Sequence, residues 1–303
     1  MTPSWPAAVL WALLGPPLLL GLAPFLDGLG RRIRARLHSR KGPPLTQGWL
    51  DLAKLAGKGE VRASADPLSR ALPWVALAAA TAAGLLLPVA GHAPLGFAGD
   101  GLVLLYLLGL SCVCLALAGL AGGSPYGFLG ASRELLLLLF VEPVVACAFF
   151  VLALKAGTFR LDQLVLWQAA HGPSVSSVLA ALAVLMALLA YLGKLPFDLS
   201  EAEQELTGGV LVEYGGRSLA LWRWALFVRW LVVAWLAAEV FLPTPAPLAL
   251  GVPLAVVKVL VVFALAAGAE TLFARLRLDQ ARSVLTQVAF LIVFAVTFAL
   301  IGA

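Results

Sequence analysis

Long apolar stretches separated by short polar links run along almost the whole chain. Uninterrupted apolar runs cover residues 5–26, 71–90, 102–121, 135–154, 175–195, 219–242, 248–269 and 284–302. Each is close to the ~20 helical residues that cross ~30 Å of hydrocarbon, so the pattern predicts eight transmembrane α-helices. A membrane β-barrel is excluded, because its strands would alternate polar and apolar positions. The first run is longer than a secretory signal core and has no small-residue cleavage site ahead of its basic flank, which predicts a retained first span.

The link between the first two runs has a pattern of its own. Leu50, Leu52, Ala53, Leu55 and Ala56 recur at helical spacing among Asp51, Lys54 and Lys58, bounded by Gly42-Pro43-Pro44 and by Gly57 to Gly59. A short amphipathic helix at the membrane surface is predicted there, either a plain interfacial anchor or a docking element for a soluble partner. The expected architecture is one all-α polytopic domain with a basic loop over residues 27–70 and an acidic loop over residues 194–218. No internal repeat divides it, which argues against transporters built from repeated halves.

Composition agrees with an integral membrane protein: 62% of residues are hydrophobic and 12% charged, with mean hydropathy +0.98, against roughly 25% charged residues in soluble domains. Ten of the 21 Lys and Arg residues fall in the first long link. The bias of basic residues to one side places that link in the cytoplasm. Counting spans forward puts Arg133, the acidic loop, Arg275, Arg277 and Arg282 on the same side, with Lys155 and Arg160 opposite. Both termini are then expected outside the cytoplasmic (inner) membrane. Basic residues so close to the bilayer set topology and contact anionic lipid rather than nucleic acid.

Three cysteines, Cys112, Cys114 and Cys147, all lie in predicted spans, and an iron–sulfur cluster is usually held by four thiolates. Cys112 and Cys114 point roughly 200° apart around a helix. His38, His92 and His171 are isolated from one another, so no helical zinc pair arises. No metal site and no cofactor are expected within this chain.

The charges inside the apolar runs carry the chemistry. Insertion of Asp, Lys or Arg at a span centre costs ~2.5–3.5 kcal/mol, which implies a use or a partner. Glu142 lies within the fourth run beside Pro143, whose ring removes a helical donor and frees a carbonyl one turn earlier. Glu142 either handles protons or pairs with a cation on another helix. Lys258 requires a facing carboxylate, with Glu142 and Glu239 as candidates. Arg223 is near the boundary of the sixth run and can snorkel, while Arg229, deeper in it, either snorkels or serves a function. Five of the sixteen acids, Asp198, Glu201, Glu203, Glu205 and Glu213, crowd one short segment. Asp198, Glu201 and Glu205 would share a face if that segment is helical, raising one another's pKa values in a proton relay. The same acids would equally suit a solvated helix start.

These residues also carry a resemblance. The segment LPFDLSEAEQEL from Leu195 to Leu206, with Glu213-Tyr214, is specific. With it come Gly130-Ala131-Ser132-Arg133-Glu134 ahead of Glu142-Pro143, and Arg40-Lys41-Gly42-Pro43 ahead of Asp51 to Leu55. Together they resemble the quinone-side membrane subunit of respiratory complex I and its homologue in energy-converting nickel–iron hydrogenases, including formate hydrogenlyase. The matches occur in order and span about residues 31–217. Lys194 and Gln204 look more like the hydrogenase branch.

The resemblance implies a membrane anchor beneath a soluble redox arm. Its partners would be an iron–sulfur small subunit, a hydrogenase large subunit and antiporter-like membrane subunits. The iron–sulfur clusters and the nickel–iron centre, or a quinone, would belong to that partner complex. It also implies that Asp198, Glu201, Glu203, Glu205 and Glu213 couple redox chemistry to ion movement, with Arg133, Glu134 and Glu142 continuing the path, and that Arg40 and Lys54 help dock the arm; Arg133 and Arg217 are further docking candidates. Glu239, Lys258 and Arg229 are further candidates for proton or ion coupling, matched by no motif and resting on burial cost alone. A complex I quinone-site subunit, a stand-alone ion-coupled transporter and an inert scaffold are the competing expectations.

Overall fold

The structure is a computed structural model that describes residues 5–62, 66–200, 203–243 and 248–302. The elements, in chain order, are α1 (Trp5–Leu37), α2 (Gln47–Ala56), α3 (Pro67–Leu85), α4 (Asp100–Ala121), α5 (Pro125–Ala156), α6 (Leu161–His171), α7 (Val175–Tyr191), α8 (Glu203–Leu206), a 3₁₀ turn (Gly209–Glu213), α9 (Gly216–Phe241), α10 (Leu248–Leu272) and α11 (Leu278–Ile301). Among the described residues seven helices are long and apolar enough to cross a bilayer, and α7 is a shorter apolar helix of 17 residues. All eight predicted runs are therefore helical.

Helix α9 is the axis of the bundle, packed against α1, α3, α7 and α10, while α4, α5, α7 and α11 pack as neighbours beside it. Small side chains allow the close approach, as is usual where lipid supplies no hydrophobic drive between helices. On α3, Ala76, Ala80, Ala83 and Gly84 are buried, and a Cβ at Gly84 would press on Leu19 of α1 and Val232 of α9.

Tryptophan side chains use carbonyls that the helices leave open. Pro24 has no N–H, so the Leu20 carbonyl one turn earlier lacks its helical donor. Trp224 of α9 donates to it at 3.0 Å, and Trp49 of α2 donates to the next carbonyl, Gly21, at 3.2 Å. The two indoles meet edge to face with centroids 5.7 Å apart. The predicted amphipathic helix is thus present as α2, with Leu52 buried and Gly48 set against the Pro24 carbonyl.

One boundary is corrected. The basic link does not begin at residue 27, because α1 continues to Leu37. Arg31 and Arg34 extend it by pairing with Asp27 one turn back and with Glu270 of α10. Between α5 and α7 the chain forms α6, which starts where the buried Asp100 carboxylate accepts the Leu161 N–H at 2.8 Å and ends with His171 stacked on Trp167.

Candidate functional site

Among the described residues one end of the bundle gathers seven of the ten ion pairs. Arg31 bridges Asp27 and Asp51 at 2.8 Å each. Glu270, buried near the end of α10, receives Arg34 at 3.1 Å and Lys194 at 3.8 Å, and Lys194 also lies over the Trp230 ring. Arg275 donates to the Asp198 carbonyl and reaches its carboxylate at 3.2 Å. The basic link, the acidic loop and the α10–α11 link therefore share one end, as span counting predicts.

The acidic loop is not one helical face. Residues 194–200 are not helical, and the helix described within the loop is the four-residue α8. Asp198 is drawn to Arg275 while Glu205, more than half exposed, pairs with Arg133 at 2.6 Å. Glu205 consequently behaves opposite to expectation: Arg133 holds its carboxyl below the usual glutamate range. Arg133 also donates to the Leu199 carbonyl, so it clasps the loop rather than facing outward. Glu201, and the side chain of Glu203, lie outside the described residues. Arg40, Lys54 and Arg217 are exposed at this end.

The loop closes against the basic link. Gly215 donates to the Val61 carbonyl at 2.7 Å, Arg62 and Tyr214 form a bridge, and Ser218 makes a short hydrogen bond to Glu60. Gly216 has φ of +59°, and a Cβ there would run into the Gly59 carbonyl.

From this seam a series of acids leads inward. Glu213 is buried, its carboxylate lodged in space that a Cβ at Gly122 or Gly127 would occupy. Burial pushes its pKa up, with Ser124 drawing it partly back. The neighbouring Tyr214 phenol is pushed up to about 12 by burial and then by the Glu213 charge. Along α5, Glu134 follows Gly127 by seven residues and Glu142 follows Glu134 by eight, steps of roughly 10 and 12 Å at 1.5 Å per residue.

Glu134 faces Arg229 of α9 at 3.8 Å, and that guanidinium donates to the Cys112 thiol at 3.0 Å and lies 5.9 Å from the Tyr191 ring. Glu142 has no hydrogen bond or ion pair among the described residues. Its carboxyl lies against Gly109 of α4, where a Cβ would overlap it. It borders a cavity of about 180 Å³ lined by α4, α5, α7 and α9, with Tyr106, Phe149, Leu188 and Val240 among its walls.

Lys258 finds its carboxylate in Glu239, at 3.0 Å, and also donates to the Leu242 carbonyl. Of the two sequence candidates the structure selects Glu239, which is fully buried. Sequence reasoning passed over Glu270 and the Arg229–Cys112 contact; the cost of an acid late in an apolar helix was the available signal for Glu270.

Among the described residues, apolar spanning helices with buried acids running in from a charged end make up a polytopic membrane bundle. The chain belongs to the NADH dehydrogenase family, whose model matches residues 9–301. It is 39% identical over 278 residues to hydrogenase-4 component C of Escherichia coli K12, covering 88% of both chains. It is 37% identical to formate hydrogenlyase subunit 4 of the same organism, covering 90% of this chain and 92% of that one. Identity to NADH-quinone oxidoreductase subunit 8 of Thermus thermophilus is 32%, over 80% of this chain and 72% of that one. A chain of the membrane-bound sulfane sulfur reductase, an archaeal respiratory membrane complex, superimposes with a TM-score of 0.87 at 26% identity, covering 96% of this chain and 99% of that one. The fold and hydrogenase-like resemblance expected from the motifs agree with these relatives.

Proposed function

We propose that this chain is the membrane-anchoring and ion-coupling subunit of a multi-subunit nickel–iron hydrogenase complex of the formate hydrogenlyase type. The observation that carries the reading is the acid series: Glu213, Glu134 and Glu142 stand at successive depths, and the innermost carboxyl, unpaired among the described residues, borders a cavity. Ionisable groups so placed mark ion paths in membranes. The higher identity to hydrogenase-4 component C and formate hydrogenlyase subunit 4 than to the quinone oxidoreductase relative supports the hydrogenase branch.

In this reading the charged end is cytoplasmic and both termini lie outside. Arg40, Lys54 and Arg217 face a soluble arm, whose iron–sulfur and nickel-containing subunits hold the redox centres. Asp198 and Glu205 lie at the entrance, held by Arg275 and Arg133, and the family motif assigns Glu201 and Glu203 to the same coupling role. Antiporter-like membrane subunits receive the coupled ion. Glu239 and Lys258 form a structural pair on the opposite half of α9 and α10.

Gentle detergent purification of the tagged chain should yield iron–sulfur and nickel-containing partners; a monodisperse chain with transport activity alone would instead identify a stand-alone transporter. In sealed vesicles the complex carrying Glu142→Gln should turn over with reduced viologen while ion uptake per turnover falls. Normal uptake per turnover would remove Glu142 from the path. Single-cysteine labelling at position 47 from the cytoplasmic side only fixes the orientation, and labelling from outside only would reverse it.

A further inference from the structure

Arg229 occupies an unusual place in the acid series. A guanidinium stays charged in proteins, and this one is 2% exposed, half-way along the most enclosed helix. Three helices face it from around α9: α5 supplies Glu134, α4 supplies Cys112 and α7 supplies Tyr191. By depth along α5 it lies between the Glu213 stage and the Glu142 stage.

The contact with Glu134 is also not the form a purely structural pair takes. Buried Arg–carboxylate pairs are short and often bidentate, at about 2.7–2.9 Å. Here the carboxylate is 3.8 Å away, and the 3.0 Å donor bond goes to a thiol, a weak acceptor. A fixed positive charge in a narrow low-dielectric path repels protons and other cations, as arginines do in selective pores.

We infer that Arg229 is the electrostatic barrier of the acid series, a positioning residue that stops passive proton flow between Glu213 and Glu142 until its contact with Glu134 opens during turnover. This deepens the coupling reading and rests on it. No part of the inference assigns Arg229 a redox step. It separates the two acids of α5 by role: Glu134 works against the barrier, and Glu142 receives what passes.

The test uses the intact complex in sealed vesicles, with an imposed pH gradient, a trapped pH dye and no substrate. Arg229→Gln is expected to raise passive proton entry on the order of tenfold, and Arg229→Lys, which keeps the charge, to stay near the wild-type rate. Adding Glu142→Gln to Arg229→Gln should return the leak to the wild-type level, which a leak from misfolding would not do. Because Arg229→Gln leaves Glu134 buried without its cation, a second comparison sets Glu134→Gln beside Glu134→Gln with Arg229→Gln; a neutral pair of similar volume is tolerated where a broken pair is not, and only the variant lacking Arg229 should leak. Equal leaks within either comparison, at equal assembly, overturn the barrier. That result is distinct from failure of the coupling reading, which is sunk by normal ion uptake per turnover in Glu142→Gln alone.

Discussion

The carboxylate of Glu213 fills the space in which a side chain at Gly122 would begin, so the last residue of the 3₁₀ turn is keyed into the end of α4. Gly127, at the start of α5, lies on the other side of the same carboxylate. The first buried acid of the series is thus positioned by two missing side chains rather than by a cation. Any Cβ at 122 must expel it or shift the α4–α5 link.

Gly122→Ala should therefore destabilise the complex by about 1–3 kcal/mol, the usual cost of overpacking. Thermal unfolding in detergent measures it. Adding Glu213→Ala should recover most of the loss, because the colliding atoms are gone, while ion uptake per turnover stays low. No recovery in the double variant would show that Gly122 serves the backbone and not Glu213.

The same burial sets a pH dependence. The pKa of Glu213 is raised in the folded protein above the ordinary 4.5, so the folded state favours the protonated form, and this contribution to stability is present at low pH and lost as pH rises from about 4.5 through the folded value. Glu205 works in the opposite window: its pKa is lowered by Arg133, and its contribution fades as pH falls below 4.5. Glu213→Gln should flatten the loss on the alkaline side and leave the acid limb in place. A scan of unfolding temperature against pH checks this, and an unchanged alkaline slope would remove Glu213 as its source.

The spans were legible because each is a continuous apolar run, and the amphipathic α2 because its period differs from its surroundings. Buried charge cost was enough to single out Glu142, Arg229, Glu239 and Lys258, and it demanded a carboxylate for Lys258. What the sequence hides are meetings between distant segments. Arg275 and Asp198 are 77 residues apart and Arg133 and Glu205 are 72 apart, so local spacing made the acids one another's neighbours when cations from distant segments are closer. The glycine notches of α4 were invisible for the same reason. Gly109 and Gly122 read as ordinary small residues until the fold sets Glu142 and Glu213 against them.

The Glu239–Lys258 pair gives a prediction about structure without coupling. Both groups are buried and 3.0 Å apart, so removing one partner should cost about 3–5 kcal/mol by leaving the other charge stranded. Lys258→Met and Glu239→Gln are each expected to reduce assembly sharply. Lys258→Met combined with Glu239→Leu should restore much of it, with ion uptake per turnover near wild type. If that assembled double variant turns over without ion uptake, the pair belongs to the path and the structural assignment fails.

Gly109 allows the position of Glu142 to be tested without touching its charge. The carboxyl lies where a Cβ at 109 would stand, so Gly109→Ala must push it out toward the cavity between α4, α5, α7 and α9. The helix itself should gain, since alanine is favoured over glycine in a helix interior by about 0.8–1.0 kcal/mol. Loss of function in a protein no less stable would thus point to displacement of the carboxyl. Redox turnover is expected to persist, because the charged end lies several turns away, while ion uptake per turnover falls. Shortening the acid in the same background, Glu142→Asp with Gly109→Ala, should relieve the collision and recover part of the uptake. Vesicle assays of uptake and turnover on wild type and the two variants, at matched assembly, make the comparison; full uptake in Gly109→Ala would mean that the carboxyl acts from the cavity side and that its seat against α4 is incidental.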